Sequence, residues 1–323
     1  MKIVDLHCDT ISQLYDIRQS GENINLRQNR LHLDIEKMKK SDYMFQVFAS
    51  YVDLGSNNKP LESCLSYIDL LYDEVQKNKD DIGIVYTFED ILKNIEKNRI
   101  SALLSIEEGG VCKGNLSLLR NFYRLGVRMM TLTWNYENEL AYPNGYLYDE
   151  KNNERKGLKE KGFEFINEME KLGMIIDVSH LSDDGIYDVY NNTTKPFIAS
   201  HSNARSICSH QRNLTDDMIK KIGDRGGIIG INFYSSFLNN DYKYSDISKI
   251  EDIINHIKYI SNTGGIDCVG IGSDFDGIDC PLEFENSSNM QLIYGEMKKA
   301  GFMEEDIEKV FYKNPLRLFK ALL

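Results

Sequence analysis

Eight short apolar runs, most of them separated by stretches of helical periodicity, constrain this chain more than any other feature. They span residues 3–9, 44–52, 102–107, 128–134, 174–180, 196–201, 227–234 and 268–275. Amphipathic stretches at 61–78, 88–98, 115–125, 156–172, 216–222 and 250–262 lie among them, and a helical tail covers 304–322. Strands alternating with helices build βαβ units and therefore a parallel sheet. Eight such units in 323 residues predict an α/β fold, a (β/α)8 (TIM) barrel forming one domain over 1–323. A doubly wound open sheet is the runner-up, but no Gly-x-Gly-x-x-Gly follows any strand.

Composition enters mainly through what it excludes. Lys and Arg number 38 against 50 Asp and Glu, a net charge of −12 with no basic block, which argues against nucleic acid and anionic membranes as partners. No apolar run approaches the length of a membrane span. Met1-Lys2 leads straight into the first strand, so the expectation is a cytoplasmic protein without a leader. None of the six cysteines forms a Cys-x-x-Cys pair, which predicts reduced, buried thiols.

The barrel reading gains force from the residues at the strand ends. His7 and Asp9 close the first run, Glu107 the third, His180 the fifth, His201 the sixth, Tyr234 the seventh and Asp274 the eighth. Barrel active sites are built at the carboxyl ends of the strands. In the opening stretch Asp5-Leu6-His7-Cys8-Asp9-Thr10, strand alternation predicts Asp5, His7 and Asp9 on one face and Val4, Leu6 and Cys8 on the other. Alternation also chooses between Glu107 and Glu108. Ala102, Leu104 and Ile106 make an apolar face suited to the outer helices, which Glu108 shares, while Glu107 points inward with Leu103 and Ser105. In the last run Val269 and Ile271 point outward, and Gly270, Gly272 and Asp274 point into the barrel.

Three histidines and two carboxylates are more ligands than one tetrahedral zinc takes from protein. Two ions about 3.5 to 4 Å apart, sharing a carboxylate, would use them all. Glu107 lies between the His7/Asp9 pair and the His180/His201 pair in strand order, so it is the expected bridge. Asp274, across the barrel, is left as a proton acceptor. This is equipment for metal-assisted hydrolysis.

The motifs Asp5-Leu6-His7-Cys8-Asp9-Thr10, Ser105-Ile106-Glu107, Ile176-Asp177-Val178-Ser179-His180, Ser200-His201-Ser202, Arg212-Asn213 and Gly272-Ser273-Asp274-Phe275-Asp276-Gly277 resemble the membrane (renal-type) dipeptidase family. That family belongs to the amidohydrolase-like metal-dependent barrels, and the match runs in order to Asn314-Pro315-Leu316-Arg317-Leu318-Phe319. The resemblance implies a homodimeric dipeptidase with two Zn2+ per chain. One ion would take His7, Asp9 and Glu107, the other Glu107, His180 and His201. Asp274 matches the family's catalytic acid/base, and Tyr234 stands near its substrate-side aromatic residue. Arg212 matches the anchor for the substrate's carboxylate, and a guanidinium's planar fork suits that group. Such a clamp implies dipeptides with a free C-terminus, D-residues included.

One position departs from the pattern. Trp134 stands where the mammalian-type sequence has a His that steadies the developing oxyanion. An indole offers one N–H donor and no charge, and Asn135 is the neighbour able to donate instead. His32, His210 and His256 read as ordinary surface or helix histidines, and Asp276 as a turn former before Gly277 rather than support for the site. Two rival functions remain: an amidohydrolase-type enzyme acting on a cyclic amide, and a zinc-binding protein without catalysis. Bridging by an acidic residue, where many such enzymes use a carboxylated Lys, argues against the first, and an intact Asp274 against the second.

Overall fold

The apolar runs fold as short strands, all paired in parallel: β1 Ile3–Asp5, β2 Tyr43–Tyr51, β3 Ile82–Ile84, β4 Ile100–Glu107, β5 Val127–Thr131, β6 Ile175–Asp177, β7 Ile198–Ala199, β8 Ile228–Ile231 and β9 Val269–Ile271. The computed structural model describes residues 1–145, 156–241 and 246–323. Strand order is β2-β1-β9-β8-β7-β6-β5-β4, and pairing of β2 with β4 closes the ring into a (β/α)8 barrel. The short β3, absent from the sequence expectation, lies outside the ring and pairs with Ile100–Ala102 at the base of β4.

Two apolar layers hold the barrel. Val4, Leu6, Phe45, Val47, Leu103, Met129, Ile175, Ile198 and Ile228 form the inner one. Its base is closed by Leu318 and Phe319 of the tail helix Asn314–Leu322, with Phe319 stacked on Phe45 at 4.5 Å. Asn314 pins that helix by donating to the carbonyls of Ile266 and Val269, each at 2.8 Å. The outer layer joins Ala102, Leu104, Ile106, Met130, Ile176, Ile229, Ile231, Val269 and Ile271 to the surrounding helices. The predicted faces of β4 and β9 are therefore the observed ones. Each fully buried Leu, Ile or Phe contributes about 1.5–3 kcal/mol.

Local rules place the helices. Pro60–Lys77 starts on proline and buries Cys64, Tyr67, Ile68, Leu71 and Val75, a stripe at three- and four-residue spacing. Phe88–Glu96 begins with a Thr87/Asp90 capping box. Helices Thr10–Gln19, Ile35–Lys40, Asp183–Asn192 and Gln291–Lys299 were not expected from periodicity. Among the described residues no helix is long and apolar enough to cross a membrane. All six cysteines are buried and free.

Apart from β2 and β4, the strands are shorter than the apolar runs, which corrects one expectation. β1 stops at Asp5, so alternation does not carry through to Asp9. Val4 and Leu6 do share the inner layer, but Cys8 packs in the outer one. The site residues other than Glu107 lie just beyond the strands, where the backbone turns; His180 and Asp274 have φ of +67° and +62°. Left-handed backbone at residues other than glycine costs roughly 1–3 kcal/mol each and concentrates at functional sites.

Candidate active site

The ends of five strands, β1, β4, β6, β7 and β9, bring His7, Asp9, Glu107, His180, His201 and Asp274 together. Glu107 sits at the centre, 2 % exposed. Its Oε2 is 3.2 Å from His7 Nε2, while Oε1 is 3.0 Å from His180 Nε2 and 3.5 Å from His201 Nε2. Asp9 Oδ2 lies 3.7 Å and Asp274 Oδ1 3.9 Å from His7 Nε2. Glu108 goes elsewhere: at φ +102° it turns away and accepts from the backbone N–H of Gly110 and Trp134 and from Asn138.

Two strand-terminal aspartates hold this arrangement by the same device. Asp5 accepts from the backbone N–H of His7 and Ser273 and, at 2.6 Å, from the Ser273 hydroxyl. Asp177 accepts from the N–H of Ser179 and Ser200, and from the hydroxyls of Ser200 (2.6 Å) and Thr131 (2.7 Å). Each aspartate thus fixes the strand end beside it, one leading to Asp274 and the other to His201. Close packing makes this possible. A Cβ on Gly230 or Gly272 would come 2.0 or 1.8 Å from the Ser200 carbonyl oxygen, so only glycine lets β8 and β9 close around Ser200.

Hydrogen bonds to the far side of two imidazoles define what their near side offers. Because the Ser200 hydroxyl donates to Asp177, its oxygen accepts from His201 Nδ1, at 2.7 Å. His180 Nδ1 donates to Asn135 Oδ1 at 2.9 Å. Both rings therefore carry a lone pair on Nε2, and these two atoms face each other at 3.0 Å beside Glu107 Oε1. Two lone pairs and a carboxylate oxygen converging in a dry site are satisfied by a cation. Both ring nitrogens of His7 and Asp9 Oδ1 are likewise buried without a hydrogen-bond partner. The ligand atoms of His7, Asp9 and Glu107 lie within 4.8 Å of one another, as do those of Glu107, His180 and His201 and those of His7, His201 and Asp274. This donor set of imidazoles and carboxylates fits zinc.

Electrostatics agree with a site that awaits positive charge. Burial pushes Asp9 up to about 8 and Asp274 up to about 6, with the Glu107 charge adding to both. Burial disfavours charge on His7 and Glu107 too, yet their mutual attraction outweighs it: His7 is held well above its ordinary value and Glu107 well below. Burial, and then the Arg212 charge, lowers His180 to about 4; burial, and then His7, keeps His201 well below its ordinary value.

Over the centre opens a cavity of about 320 Å³, small among ligand sites of about 300–1,000 Å³. Trp134, Asn135, Tyr234 and Asp274 line it, as expected, and so do Gln13, Tyr51, Phe237 and Asp279, which alternation alone did not single out. Tyr51 meets Trp134 edge-on at 5.0 Å. Arg212 lies behind this wall, 5 % exposed. Its guanidinium faces Phe237 at 5.4 Å and donates to the His201 carbonyl and the Ser202 hydroxyl, while its Nε has no partner. Asn232 donates to Asp274 Oδ2 at 2.8 Å, leaving Oδ1 toward His7.

Three expectations outside the centre are corrected. Asp276 is support, not merely a turn former: its carboxylate accepts from the Thr10 hydroxyl and the His32 N–H, each at 2.6 Å, tying the 276–279 rim to the residue after Asp9. His32 is its partner rather than a free surface group. His256 lies on the helix Ile250–Gly264 but is fully buried, a crosslink between the loop after His201 and the short helix Ser235–Leu238.

The profile of the membrane dipeptidase family, peptidase family M19, matches residues 1–322. An uncharacterized dipeptidase of Schizosaccharomyces pombe is 32% identical over 306 residues, which cover 90% of this chain and 72% of that protein. Among solved structures, dipeptidase AC, a metallopeptidase of family M19, superposes with a TM-score of 0.91 at 24% identity, over 100% of this chain and 98% of that one. A metallopeptidase of Rhodobacter sphaeroides, liganded with a phosphinate mimic of the dipeptide L-Ala-D-Ala, gives 0.91 at 23% identity, over 100% and 99%. These two likenesses bear on the fold.

Proposed function

Because this chain belongs to the membrane dipeptidase family M19, and is by that membership a metal-dependent dipeptidase, we propose that it is a dinuclear zinc enzyme. In this reading it cleaves dipeptides with a free C-terminal carboxylate and accepts a D-residue there. One observation carries the two-ion assignment: the oxygens of Glu107 face different histidines, Oε2 toward His7 and Oε1 toward His180 and His201. His7, Asp9 and Glu107 would hold one ion and Glu107, His180 and His201 the other. The bound ions would supply Lewis acidity toward the scissile carbonyl and lower the pKa of a water.

The chain's own groups supply the rest. Asp274 takes up a proton on Oδ1, since Asn232 occupies Oδ2, and passes it to the leaving amine. Among the described residues no Lys or Arg lines the cavity, so Arg212 behind it is the cation assigned to draw the substrate's carboxylate toward the Phe237 side. Tyr234 and Phe237 would bound that end, and Tyr51 and Trp134 the opposite one. A D-residue is compatible with a clamp that reads the carboxylate and not the side chain, and the L-Ala-D-Ala mimic bound by the Rhodobacter sphaeroides protein supports this by analogy. The test is elemental analysis after dialysis against zinc: two ions per wild-type chain and one or none in Glu107→Ala. A wild-type stoichiometry of one would refute the shared bridge.

A further inference from the structure

The three imidazoles of the centre are not held alike. The Nδ1 of His201 is anchored to Ser200, whose hydroxyl is committed to Asp177, and that of His180 to Asn135. Among the described residues His7 has no hydrogen-bond partner on either ring nitrogen, only the close approach of Nε2 to Glu107 Oε2. A metal-bound histidine is oriented, and its tautomer fixed, by what its other nitrogen donates to. The His180/His201 half is therefore built before any ion arrives, whereas in the His7/Asp9 half the imidazole faces Glu107 but no hydrogen bond fixes its tautomer.

We propose that Ser200, backed by Asp177, is the positioning residue that fixes His201 as an Nε2 ligand, and that the His180/His201 half consequently binds zinc first and more tightly. This rests on the two-zinc reading above. Asp177 keeps three other donors, from Ser179, Ser200 and Thr131. Removing the Ser200 hydroxyl thus leaves the carboxylate satisfied and takes away the ring's acceptor, together with a 3.3 Å contact to the Ser179 hydroxyl. The molecule carries its own control. Ser273 makes the same clasp with Asp5, but its hydroxyl contacts the Asp5 carboxylate and the His7 carbonyl and no imidazole nitrogen.

The experiment is a zinc titration against a competing chelator on wild type, Ser200→Ala and Ser273→Ala, which needs no turnover. Wild type should show two steps of unequal affinity. Ser200→Ala should weaken the tighter step about 10- to 100-fold and leave the weaker one unchanged, and Ser273→Ala should leave the tighter step as in wild type. Equal weakening by both variants would reduce the clasp to general scaffolding, and an unchanged tighter step in Ser200→Ala would remove Ser200 from the site; either overturns the proposal. A wild type that takes a single zinc overturns the filling order and the two-ion reading, while the Ser200 effect on that one step still judges the anchor. If Ser200→Ala does not fold, nitrogen NMR of the histidine rings in zinc-free wild type decides. His201 should be protonated at Nδ1, and an Nε2–H tautomer would overturn the anchor.

Discussion

His256 offers a stability measurement whose size follows from its surroundings. It lies on the helix Ile250–Gly264 with no exposed surface. Nδ1 accepts from the Ala204 N–H at 3.1 Å and Nε2 donates to the Leu238 carbonyl at 2.9 Å, so the ring joins the loop after His201 to the one carrying Phe237. Only a neutral ring can do both, because a second ring proton would point at a backbone N–H. Burial lowers its pKa to about 4, against 6.5 for an ordinary histidine. The unfolded chain therefore takes up a proton between these values that the folded one refuses. The stabilisation is complete above about pH 6.5 and is lost as pH falls toward 4, where it totals about 3 kcal/mol. At pH 5 about 2 kcal/mol of it should already be gone. Urea unfolding of zinc-free wild type and His256→Gln at pH 7.5 and pH 5 measures this without any contribution from the ions. The variant should be less stable at pH 7.5, and its deficit should shrink by about 2 kcal/mol at pH 5. A deficit of the same size at both values would refute the account of a neutral, doubly bonded ring.

Asp274→Asn should retain the zinc content of wild type while kcat falls about 10²- to 10⁴-fold, the usual cost of a missing general acid/base. Zinc loss in that variant would instead make Asp274 a ligand, which its place beside His7 and His201 allows as an alternative. Arg212→Lys should raise KM and lower kcat/KM on free dipeptides, since charge remains while the planar fork and its contacts to the His201 carbonyl and Ser202 are lost; steady-state kinetics unchanged from wild type would remove Arg212 from substrate binding.

What was legible in the sequence follows from what burial does to composition. Strands buried on both faces read as nearly continuous apolar runs, so all eight barrel strands stood out, and the alternation of Leu103, Ser105 and Glu107 against Ala102, Leu104 and Ile106 assigned β4 correctly. Ile82-Gly83-Ile84 was too short to register as a strand. Helix Thr10–Gln19 was too polar to show a stripe, because two of its four buried residues are Thr10 and Ser12. Alternation failed where the first strand ends: it ran through Asp5 to Asp9, although β1 stops at Asp5 and Cys8 packs in the outer layer. The residues that the structure gathers around Glu107 were nonetheless picked out, since their chemistry and order do not depend on that geometry. The partners of those residues were hidden. Ser200 reaches Asp177 only because β6 and β7 pair at Asp177 and Ile198, a register no local pattern gives. The burial of His256 and the supporting role of Asp276 were hidden for the same reason, with partners 52 and 266 residues away in sequence.

Zinc held around Glu107 should cleave a dipeptide recognised by its free carboxylate. The most direct measurement is turnover of L-Ala-D-Ala, L-Ala-L-Ala and L-Ala-D-Ala-amide by one preparation, first stripped of metal and then reloaded with zinc. The account predicts no turnover without metal, hydrolysis of both free dipeptides once zinc returns, and little or none of the amide. Equal turnover of the amide would contradict recognition through the carboxylate, and undiminished activity in the stripped protein would contradict the metal centre itself.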